Sequence, residues 1–289
     1  MRVLLLGAGG MLGHDLVAAA PPNVQLSPLT RQALDITDAV ALREAIHRLR
    51  PECIVNAAAY TAVDRAEQEP DLAHNVNGFA VRQLGLLAKE AGARVVHFST
   101  DYVFDGLGPA PYREDAATNP INVYGASKLA GEQALIASGW PALVIRSQWL
   151  FGARGRSFPT TILRRARERK PTRVVDDQLG RPTYTKDLAV AAWTVISLGT
   201  TGLIHVTNDD EATWFDVAHE IFSREGALSL LSRCSSSEYP TAARRPRDSR
   251  LNTERAEILM RDRLPPWRDA VERFLTDCRA SDVLGSSPS

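Results

Sequence analysis

The sequence has few cysteines, no excess of either charge and no long apolar run, and each absence excludes a class of protein. The three cysteines, Cys53, Cys234 and Cys278, are far apart, which argues against a disulfide framework and against paired-cysteine metal sites. The 34 basic and 34 acidic side chains cancel, whereas a nucleic-acid-binding domain is usually clearly basic. No run approaches the ~20 apolar residues of a membrane helix. We therefore predict a cytoplasmic protein that binds neither nucleic acid nor membranes.

Short apolar runs alternate with helical patterns through the first half of the chain. Runs at 3–6, 24–29, 53–57, 94–98 and 142–145 indicate buried strands, and the first of them is too short for a signal peptide. Strands that alternate with helices are typical of a parallel sheet covered on both faces. The pattern predicts an α/β fold: a Rossmann-like doubly wound parallel sheet with a smaller C-terminal substrate-binding lobe.

The second half is less regular, with helical patterns separated by loops rich in Pro, Arg and Ser. We predict that residues 1–148 form the dinucleotide-binding part and that 174–206 return to it. The substrate-binding lobe is predicted at 149–173 and 207–280, and a disordered tail at 281–289.

A glycine-rich loop follows the first predicted strand and opens the first predicted helix. Its glycines have the spacing G-x-x-G-x-x-G. Glycine lets backbone amides approach a pyrophosphate, and the helix N-terminus supplies unpaired N–H groups and the positive end of the helix dipole. A plain turn would also use glycines, but this position favours a dinucleotide site. The predicted cofactor contacts in the loop are Gly7, Gly10, Met11, Leu12 and Gly13.

The second predicted strand bears on the choice of cofactor. It lacks the terminal acid that would hold the adenine ribose and ends instead in Thr30 and Arg31. Arg31 could face a 2′-phosphate, which favours NADPH over NADH. The alternative interpretation is a solvated loop arginine. Asp35 and Ile36 are predicted to flank the adenine.

Tyr124 and Lys128 form a Y-x-x-x-K pair beside the helical pattern at 127–138. Residues four apart share a helix face, so the lysine can lower the tyrosine pKa. Such a tyrosine can deliver a proton to a carbonyl oxygen as hydride reaches the carbon. An exposed helical Tyr and Lys would be the plain alternative, but the neighbouring motifs favour catalysis.

Polar side chains end the predicted strand at 94–98 and its continuation. The carboxyl ends of parallel strands face the ligand crevice, so Thr100 or Ser99 can donate a hydrogen bond to a substrate carbonyl. Asp101 either assists proton delivery or caps the following turn.

Five stretches then carry a resemblance to a known family. The chain resembles the dTDP-4-dehydrorhamnose reductase family of the extended short-chain dehydrogenases, from residue 1 to about residue 280. The resemblance implies hydride transfer from NADPH or NADH to the 4-keto group of dTDP-4-dehydro-L-rhamnose, a small nucleotide sugar. The stretches are 56–64, 99–106, 122–132, 176–183 and 245–252.

The resemblance also implies roles for single residues. Tyr124 is the expected proton donor, Lys128 holds the nicotinamide ribose, and Thr100 orients the keto oxygen. Ala57, Ala58, Ala59 and Asn77 are expected along the cofactor. The expected substrate contacts are Thr61, Val63, Ser99, Phe104, Trp149 and Arg245. Trp149 has an alternative as a core aromatic between the lobes. Arg245 and nearby arginines are expected to meet the substrate diphosphate, because guanidinium forks match phosphate oxygens.

One departure from the family concerns a metal. Some members form a dimer over a magnesium ion bound by acidic residues, and Asp15 and Lys186 stand at two positions where those acids are expected. A divalent metal prefers several carboxylates, so we predict no metal site. The chain is then expected to be a monomer or a homodimer.

Two other functions share much of this pattern. A reductase or epimerase for another nucleotide-activated keto-deoxysugar would have the same glycine loop and Y-x-x-x-K pair. A non-catalytic binding subunit is the alternative from another class, since relatives of this fold regulate methionine adenosyltransferase by binding it. Such a subunit needs no Thr100, Tyr124 and Lys128 set, which argues against it.

Overall fold

The computed structural model describes residues 1–281 of the chain, so the predicted tail lies outside it apart from Ser281, which ends the last helix. The strands are β1 (Arg2–Leu6), β2 (Gln25–Leu29), β3 (Cys53–Asn56), β4 (Arg94–Thr100), β5 (Ala142–Ser147), β6 (Leu150–Phe151), β7 (Thr172–Val175), β8 (Leu179–Gly180), β9 (Thr183–Tyr184), β10 (Gly202–His205), β11 (Ala212–Thr213) and β12 (Leu231–Cys234). The α-helices are α1 (Met11–Ala18), α2 (Ala39–Leu49), α3 (Val63–Ala66), α4 (Pro70–His74), α5 (Ala80–Ala91), α6 (Val123–Ala137), α7 (Phe158–Arg167), α8 (Thr185–Ser197), α9 (Trp214–Arg224), α10 (Glu254–Met260) and α11 (Trp267–Ser281).

A parallel sheet in the order β10-β5-β4-β3-β1-β2 is the centre of the first lobe. Its inner strands are buried on both faces, because one apolar cluster includes residues of α1 and α8 and another includes residues of α2 and α5. The apolar runs at Leu4–Leu6 and Ile54–Val55 are therefore fully buried. This arrangement confirms the predicted Rossmann-like doubly wound sheet.

Helix α6 begins at Val123, earlier than the predicted residue 127. The Asn122 side chain accepts a hydrogen bond from the Gly125 amide at 2.7 Å and so caps the helix. Gly125 itself packs against the backbone, because a Cβ there would lie 2.1 Å from the Tyr102 carbonyl oxygen. The cap and this close contact place both Tyr124 and Lys128 within the helix.

Segment 56–79 is mostly short helical turns that the sequence pattern did not predict. After β3 the chain forms α3 and α4, and a π-helical turn at Asn75–Phe79 then leads into α5. Asn77 in this turn holds the preceding loop, since its Oδ1 accepts from the Tyr60 amide at 2.9 Å.

The second lobe has its own core and three small strand pairs. Helices α7, α9 and α11 bury apolar side chains around Trp267, Phe222 and Phe274. The pairs are β6 with β9, β7 with β12 and β8 with β11.

The chain returns to the first lobe later than residue 174, because β7 and β8 pair with strands of the second lobe. The return consists of α8, which packs on α1, and β10, which joins the sheet beside β5. Helix α10 also packs on α8 and β10, although it belongs to the predicted substrate-binding segment at 207–280. Within residues 1–281 no helix is both long and apolar enough to span a membrane.

Candidate active site

The glycine loop brings three segments of backbone into close contact. Gly7 has φ +79°, and a Cβ there would lie 2.5 Å from the Ala58 amide nitrogen. A Cβ on Gly13 would lie 2.1 Å from the Gly7 carbonyl oxygen. Helix α1 begins directly after Gly10 without a side-chain cap, so its first N–H groups are free of side-chain acceptors. The loop thus has the backbone geometry that suits a pyrophosphate.

A cleft of about 1860 Å³ runs from this loop to the second lobe. Its lining joins residues from the ends of β3, β4 and β5 with residues of α6 and of the second lobe. Ser99 Oγ and Ser147 Oγ in the lining are buried and have no hydrogen-bond partner within the described chain. Such orphaned hydroxyls suit a polar ligand, so the residues fit a bound dinucleotide. The predicted site residues that line the cleft are Gly10, Met11, Leu12, Ala57, Ala58, Ala59, Thr61, Val63, Ser99, Thr100, Asp101, Tyr124, Lys128, Trp149 and Arg245.

Three predicted cofactor residues beyond β2 are not in this lining. Arg31 is exposed, and its Nε lies 3.1 Å from Asp35 Oδ2. Asp35 also accepts a hydrogen bond from the Thr37 amide. Ile36 is buried in the apolar cluster under the sheet. An adenine contact by Ile36 therefore conflicts with its burial, whereas a 2′-phosphate contact by Arg31 stays a prediction.

Two further predicted residues act inside the protein. The Phe104 ring is fully buried and stacks on Tyr112 with centroids 4.2 Å apart, so it does not reach the cleft. Asn77 is buried and donates to Ser127 Oγ at 3.0 Å and to the Tyr60 carbonyl at 3.0 Å. It ties the loop after β3 to α6 and supports the cleft from behind.

The surroundings of Tyr124 favour its neutral phenol. Burial and the nearby Asp101 carboxyl raise the pKa of Tyr124, and a hydrogen bond with Thr100 opposes them. Lys128 Nζ donates to the Phe98 carbonyl oxygen, and a lowering of the Tyr124 pKa by Lys128 stays a prediction. A neutral phenol is the form that can donate a proton to a carbonyl oxygen.

Lys128 is buried and held from the sheet. Its Nζ donates to the Phe98 carbonyl oxygen at 2.7 Å and lies 3.3 Å from His97 Nε2. Burial lowers the pKa of Lys128 to about 8, and the charge of Glu132 on the same helix opposes this shift. The lysine is thus held by its hydrogen bond to the Phe98 carbonyl oxygen.

Asp101 is a buried carboxyl behind Thr100. It accepts hydrogen bonds from Ser249 Oγ at 2.6 Å, from Thr100 Oγ1 at 3.0 Å and from Gln148 Nε2 at 3.4 Å. Burial raises its pKa to about 7, although the hydrogen bonds from Ser249 and Thr100 oppose the shift. Thr100 rather than Asp101 caps the following turn, because Thr100 Oγ1 accepts from the Tyr102 amide.

Asp101→Asn is expected to flatten the pH dependence of stability. A carboxyl with a folded pKa of about 7 and an ordinary value of 3.8 stabilises the fold below pH 3.8, and this stability is lost as the pH rises to 7. The shift corresponds to a loss on the order of 2 to 4 kcal/mol in the wild type. Urea unfolding at pH 5 to 8 measures it, with Asp105→Asn as control because the pKa of Asp105 is lowered. Equal pH slopes for the wild type and Asp101→Asn would contradict the expectation.

Two of the predicted substrate residues, Trp149 and Arg245, line the cleft beside the second lobe. Trp149 has φ +50° and stacks on Trp214 with ring centroids 3.6 Å apart, so it belongs to an aromatic wall of the second lobe. Arg245 is already paired, since its two terminal nitrogens lie 3.0 and 2.8 Å from the Asp64 carboxylate. A bidentate pair neutralises the arginine, which weakens the case for Arg245 as the diphosphate ligand.

Known proteins of similar sequence and structure include reductases of nucleotide sugars. A family model described as the RmlD substrate binding domain covers residues 1–280. The chain belongs to this family. It is 39% identical over 292 residues to a dTDP-4-dehydrorhamnose reductase of Salmonella typhimurium, with 96% of this chain and 98% of that protein covered. It is also 43% identical over 228 residues to a dTDP-4-keto-6-deoxy-D-glucose reductase of Streptomyces niveus, with 78% and 79% covered. The crystal structure of the Bacillus anthracis dTDP-4-dehydrorhamnose reductase in complex with NADP has a TM-score of 0.92, 36% identity, and 96% and 99% coverage.

The region around Asp15 and Lys186, where the sequence predicts no metal site, makes internal contacts in this chain. Asp15 Oδ2 accepts from Thr185 Oγ1 at 2.5 Å, and Lys186 Nζ lies 2.6 Å from Asp277. A lysine ammonium beside these carboxylates does not fit a divalent cation. In residues 1–281 no group of three or more His, Cys, Asp or Glu side chains could hold a metal ion.

Several residues of this RmlD family site escaped the sequence analysis. Gln148 and Ser249 hold Asp101, and Asn56 and His97 stand behind Lys128. All four are nearly or fully buried polar side chains. The available signal was position, since Asn56 and Gln148 stand at or directly after the carboxyl ends of β3 and β5.

Proposed function

We propose that the protein is an NADPH-dependent oxidoreductase that reduces the 4-keto group of dTDP-4-dehydro-L-rhamnose to dTDP-L-rhamnose, with NADH as the alternative donor. The observation that most supports the proposal is that one cleft is lined by Thr100, Tyr124, Lys128 and the glycine loop. The family membership and the NADP in the Bacillus anthracis relative support it. The Streptomyces niveus relative keeps another keto-deoxysugar as a second candidate substrate.

Each side chain has a task that its environment suits. The bound nicotinamide supplies the hydride, and the glycine loop with the start of α1 would hold its pyrophosphate. Tyr124 holds the proton that the keto oxygen receives, since burial keeps its phenol neutral. Thr100 orients that oxygen, and Asp101 in turn fixes the Thr100 hydroxyl at 3.0 Å. Lys128 would hold the nicotinamide ribose from its fixed position on α6.

The diphosphate of the substrate is proposed to meet Arg244 and Arg247. Both arginines line the cleft beside Arg245, and neither forms a salt bridge as close as that of Arg245 within residues 1–281, although the charge of Arg247 acts on the Asp177 carboxylate. Arg245 instead holds the loop through Asp64. Unpaired guanidinium groups are the better phosphate ligands because no carboxylate must first be displaced.

NADPH oxidation with dTDP-4-dehydro-L-rhamnose made in situ tests the proposal. We expect steady loss of NADPH absorbance and formation of dTDP-L-rhamnose. Turnover of dTDP-4-keto-6-deoxy-D-glucose alone would replace the substrate assignment. Isomerisation without net NADPH oxidation would indicate an epimerase, and tight cofactor binding without any turnover would favour a binding subunit.

We also propose a cytoplasmic location and a monomeric or homodimeric state without a shared metal. The three cysteines are free and buried, as is usual in a reducing compartment. Light scattering after size-exclusion chromatography, with and without a chelator, would measure the oligomeric state and its dependence on metal.

A further inference from the structure

A buried hydrogen-bond chain connects Lys128 with two side chains that do not line the cleft. Asn56 and His97 lie opposite each other on β3 and β4, and both are fully buried. The Asn56 Nδ2 atom is 3.1 Å from His97 Nδ1, and His97 Nε2 is 3.3 Å from Lys128 Nζ. At the other end, the Ala58 amide donates to Asn56 Oδ1 at 3.1 Å. The Asn56 and His97 side chains are fully buried and lie outside the cleft, so their polar groups are expected to pair with neighbouring protein groups.

The Ala58 amide at the end of this hydrogen-bond chain determines which atom donates in each of its hydrogen bonds. The Ala58 N–H can only donate, so Asn56 Oδ1 is the acceptor and its NH₂ group faces His97. Nδ1 of His97 must then accept, which places the proton of the neutral imidazole on Nε2. Burial keeps the imidazole neutral because it lowers the pKa of His97 well below its usual value. An N–H group of His97 therefore points at the Lys128 amine.

A donor from His97 that points at Lys128 disfavours the charged form of the lysine. An ammonium has three donors and no acceptor, so it meets the His97 Nε2–H donor to donor. A neutral amine has a lone pair that accepts from His97 while it still donates to the Phe98 carbonyl oxygen. The other imidazole tautomer would place Nδ1–H against the Asn56 NH₂ group, so one pair of donors would still face each other.

We propose that Asn56 and His97 are positioning residues that present Lys128 with a hydrogen-bond donor and so lower its affinity for a proton. The importance of this for turnover rests on the proposed function, in which Lys128 holds the cofactor. The lysine then loses its proton at a lower pH than an exposed lysine does.

The other charged groups near Lys128 act in the opposite direction or face the cleft. Glu132 on α6 raises the pKa of Lys128, and Arg146 of β5 holds Glu132 in place. Tyr124 precedes Lys128 by one turn of α6, and the Asp101 carboxyl acts on Tyr124. Burial lowers the pKa of Lys128, and the donor from His97 is the hydrogen-bond contact that acts in the same direction.

Labelled lysine tests the proposal directly, because the chain has only Lys89, Lys128, Lys170 and Lys186. Lysine labelled with ¹³C at Cε is followed by NMR through a pH titration of the protein without substrate or cofactor, and Lys128→Met assigns the signal. His97→Gln can turn its carbonyl oxygen towards the ammonium. We expect it to raise the Lys128 midpoint by about one pH unit, the scale of one hydrogen bond to a charged group. An unchanged midpoint would overturn the proposal.

A matched control is His205→Gln. His205 is also fully buried on the same sheet, but it contacts Arg146 rather than Lys128. We expect this variant to perturb the core without moving the Lys128 midpoint. An equal shift in both variants would assign the effect to general loosening and would overturn the specific role of His97.

Asn56→Asp keeps the test decisive if His97→Gln does not fold. Its carboxylate would accept from both the Ala58 amide and His97 Nδ1–H, so the imidazole proton moves from Nε2 to Nδ1. The ¹⁵N shifts of the His97 ring report the tautomer directly. A wild-type imidazole that carries its proton on Nδ1 contradicts the proposal.

The dependence of kcat on pH tests whether the hydrogen bonds from Asn56 through His97 to Lys128 affect turnover. The ammonium form of Lys128 holds the ribose, so kcat is expected to fall as the pH rises through the Lys128 pKa. His97→Gln should move this limb upward by the same interval as the NMR midpoint. A shifted midpoint in a protein that reduces no keto-sugar would support the role of His97 while the proposed function fails.

Discussion

Tyr124→Phe is expected to lower kcat by about 10²- to 10⁴-fold, the usual contribution of a positioned general acid. The phenol is the proton donor at the cleft, and burial holds it in its neutral form. Phenylalanine keeps the ring, including its edge contact with Tyr102 at 6.0 Å between centroids, but has no proton to give. NADPH oxidation measures the loss, and fluorescence titration is expected to show nearly unchanged NADPH binding.

Tyr112→Phe is the matched control for the loss of a buried hydroxyl. Tyr112 lies outside the cleft, and its hydroxyl accepts from the Gly108 amide and donates to Asp105. We expect this variant to lose some stability and to keep its turnover. Wild-type turnover in Tyr124→Phe would remove Tyr124 from the mechanism, and loss of NADPH binding would reassign it to cofactor binding.

The parts of the site that could be predicted are those encoded by neighbouring residues. The glycine loop and the Y-x-x-x-K pair each lie within one turn or one helix, so their spacing alone indicates the geometry. The π-helical turn at Asn75–Phe79 was missed because no simple periodicity marks it. The start of α6 was missed because Asn122 reads as a loop residue until its capping bond is seen.

The polar residues that set the electrostatics could not be found in the same way. Asp101 and Ser249 are 148 residues apart in the chain, and Asn56 and His97 are 41 apart. Only the register of the sheet and the docking of the second lobe bring such groups together. Their contacts also add an effect that the Y-x-x-x-K spacing does not show, because burial and the Asp101 carboxyl raise the pKa of Tyr124.

For Arg245, the residue type indicated a possible phosphate ligand, but the sequence did not indicate its ion-pair partner. An arginine at the cleft suits a diphosphate, as the sequence suggested. The structure pairs it with Asp64, about which the spacing of the two residues says nothing. Arg244 and Arg247, which line the same cleft, are therefore the better candidates for the arginines that bind the diphosphate.

The largest stability effect is expected from Arg146→Met. Glu132 and Arg146 form a buried ion pair between α6 and β5, with side-chain exposures of 1% and 4% and three hydrogen bonds between 2.6 and 3.1 Å. Methionine leaves the Glu132 carboxylate buried and uncompensated, which costs about 3 to 5 kcal/mol. Urea unfolding at pH 7, followed by tryptophan fluorescence, measures the change in the free energy of unfolding.

A second substitution separates the cost of the lone charge from the loss of packing. Arg146→Met with Glu132→Leu removes both charges, and we expect it to recover most of the lost stability because apolar replacements of buried ion pairs are often neutral. Arg43→Met is the exposed control, since Arg43 and Glu90 pair in solvent with exposures of 61% and 56%. It should change stability by about 0 to 1 kcal/mol. A double variant as unstable as Arg146→Met would show that packing around Phe104, which the Arg146 guanidinium covers at 5.1 Å, rather than the unpaired charge, accounts for the loss.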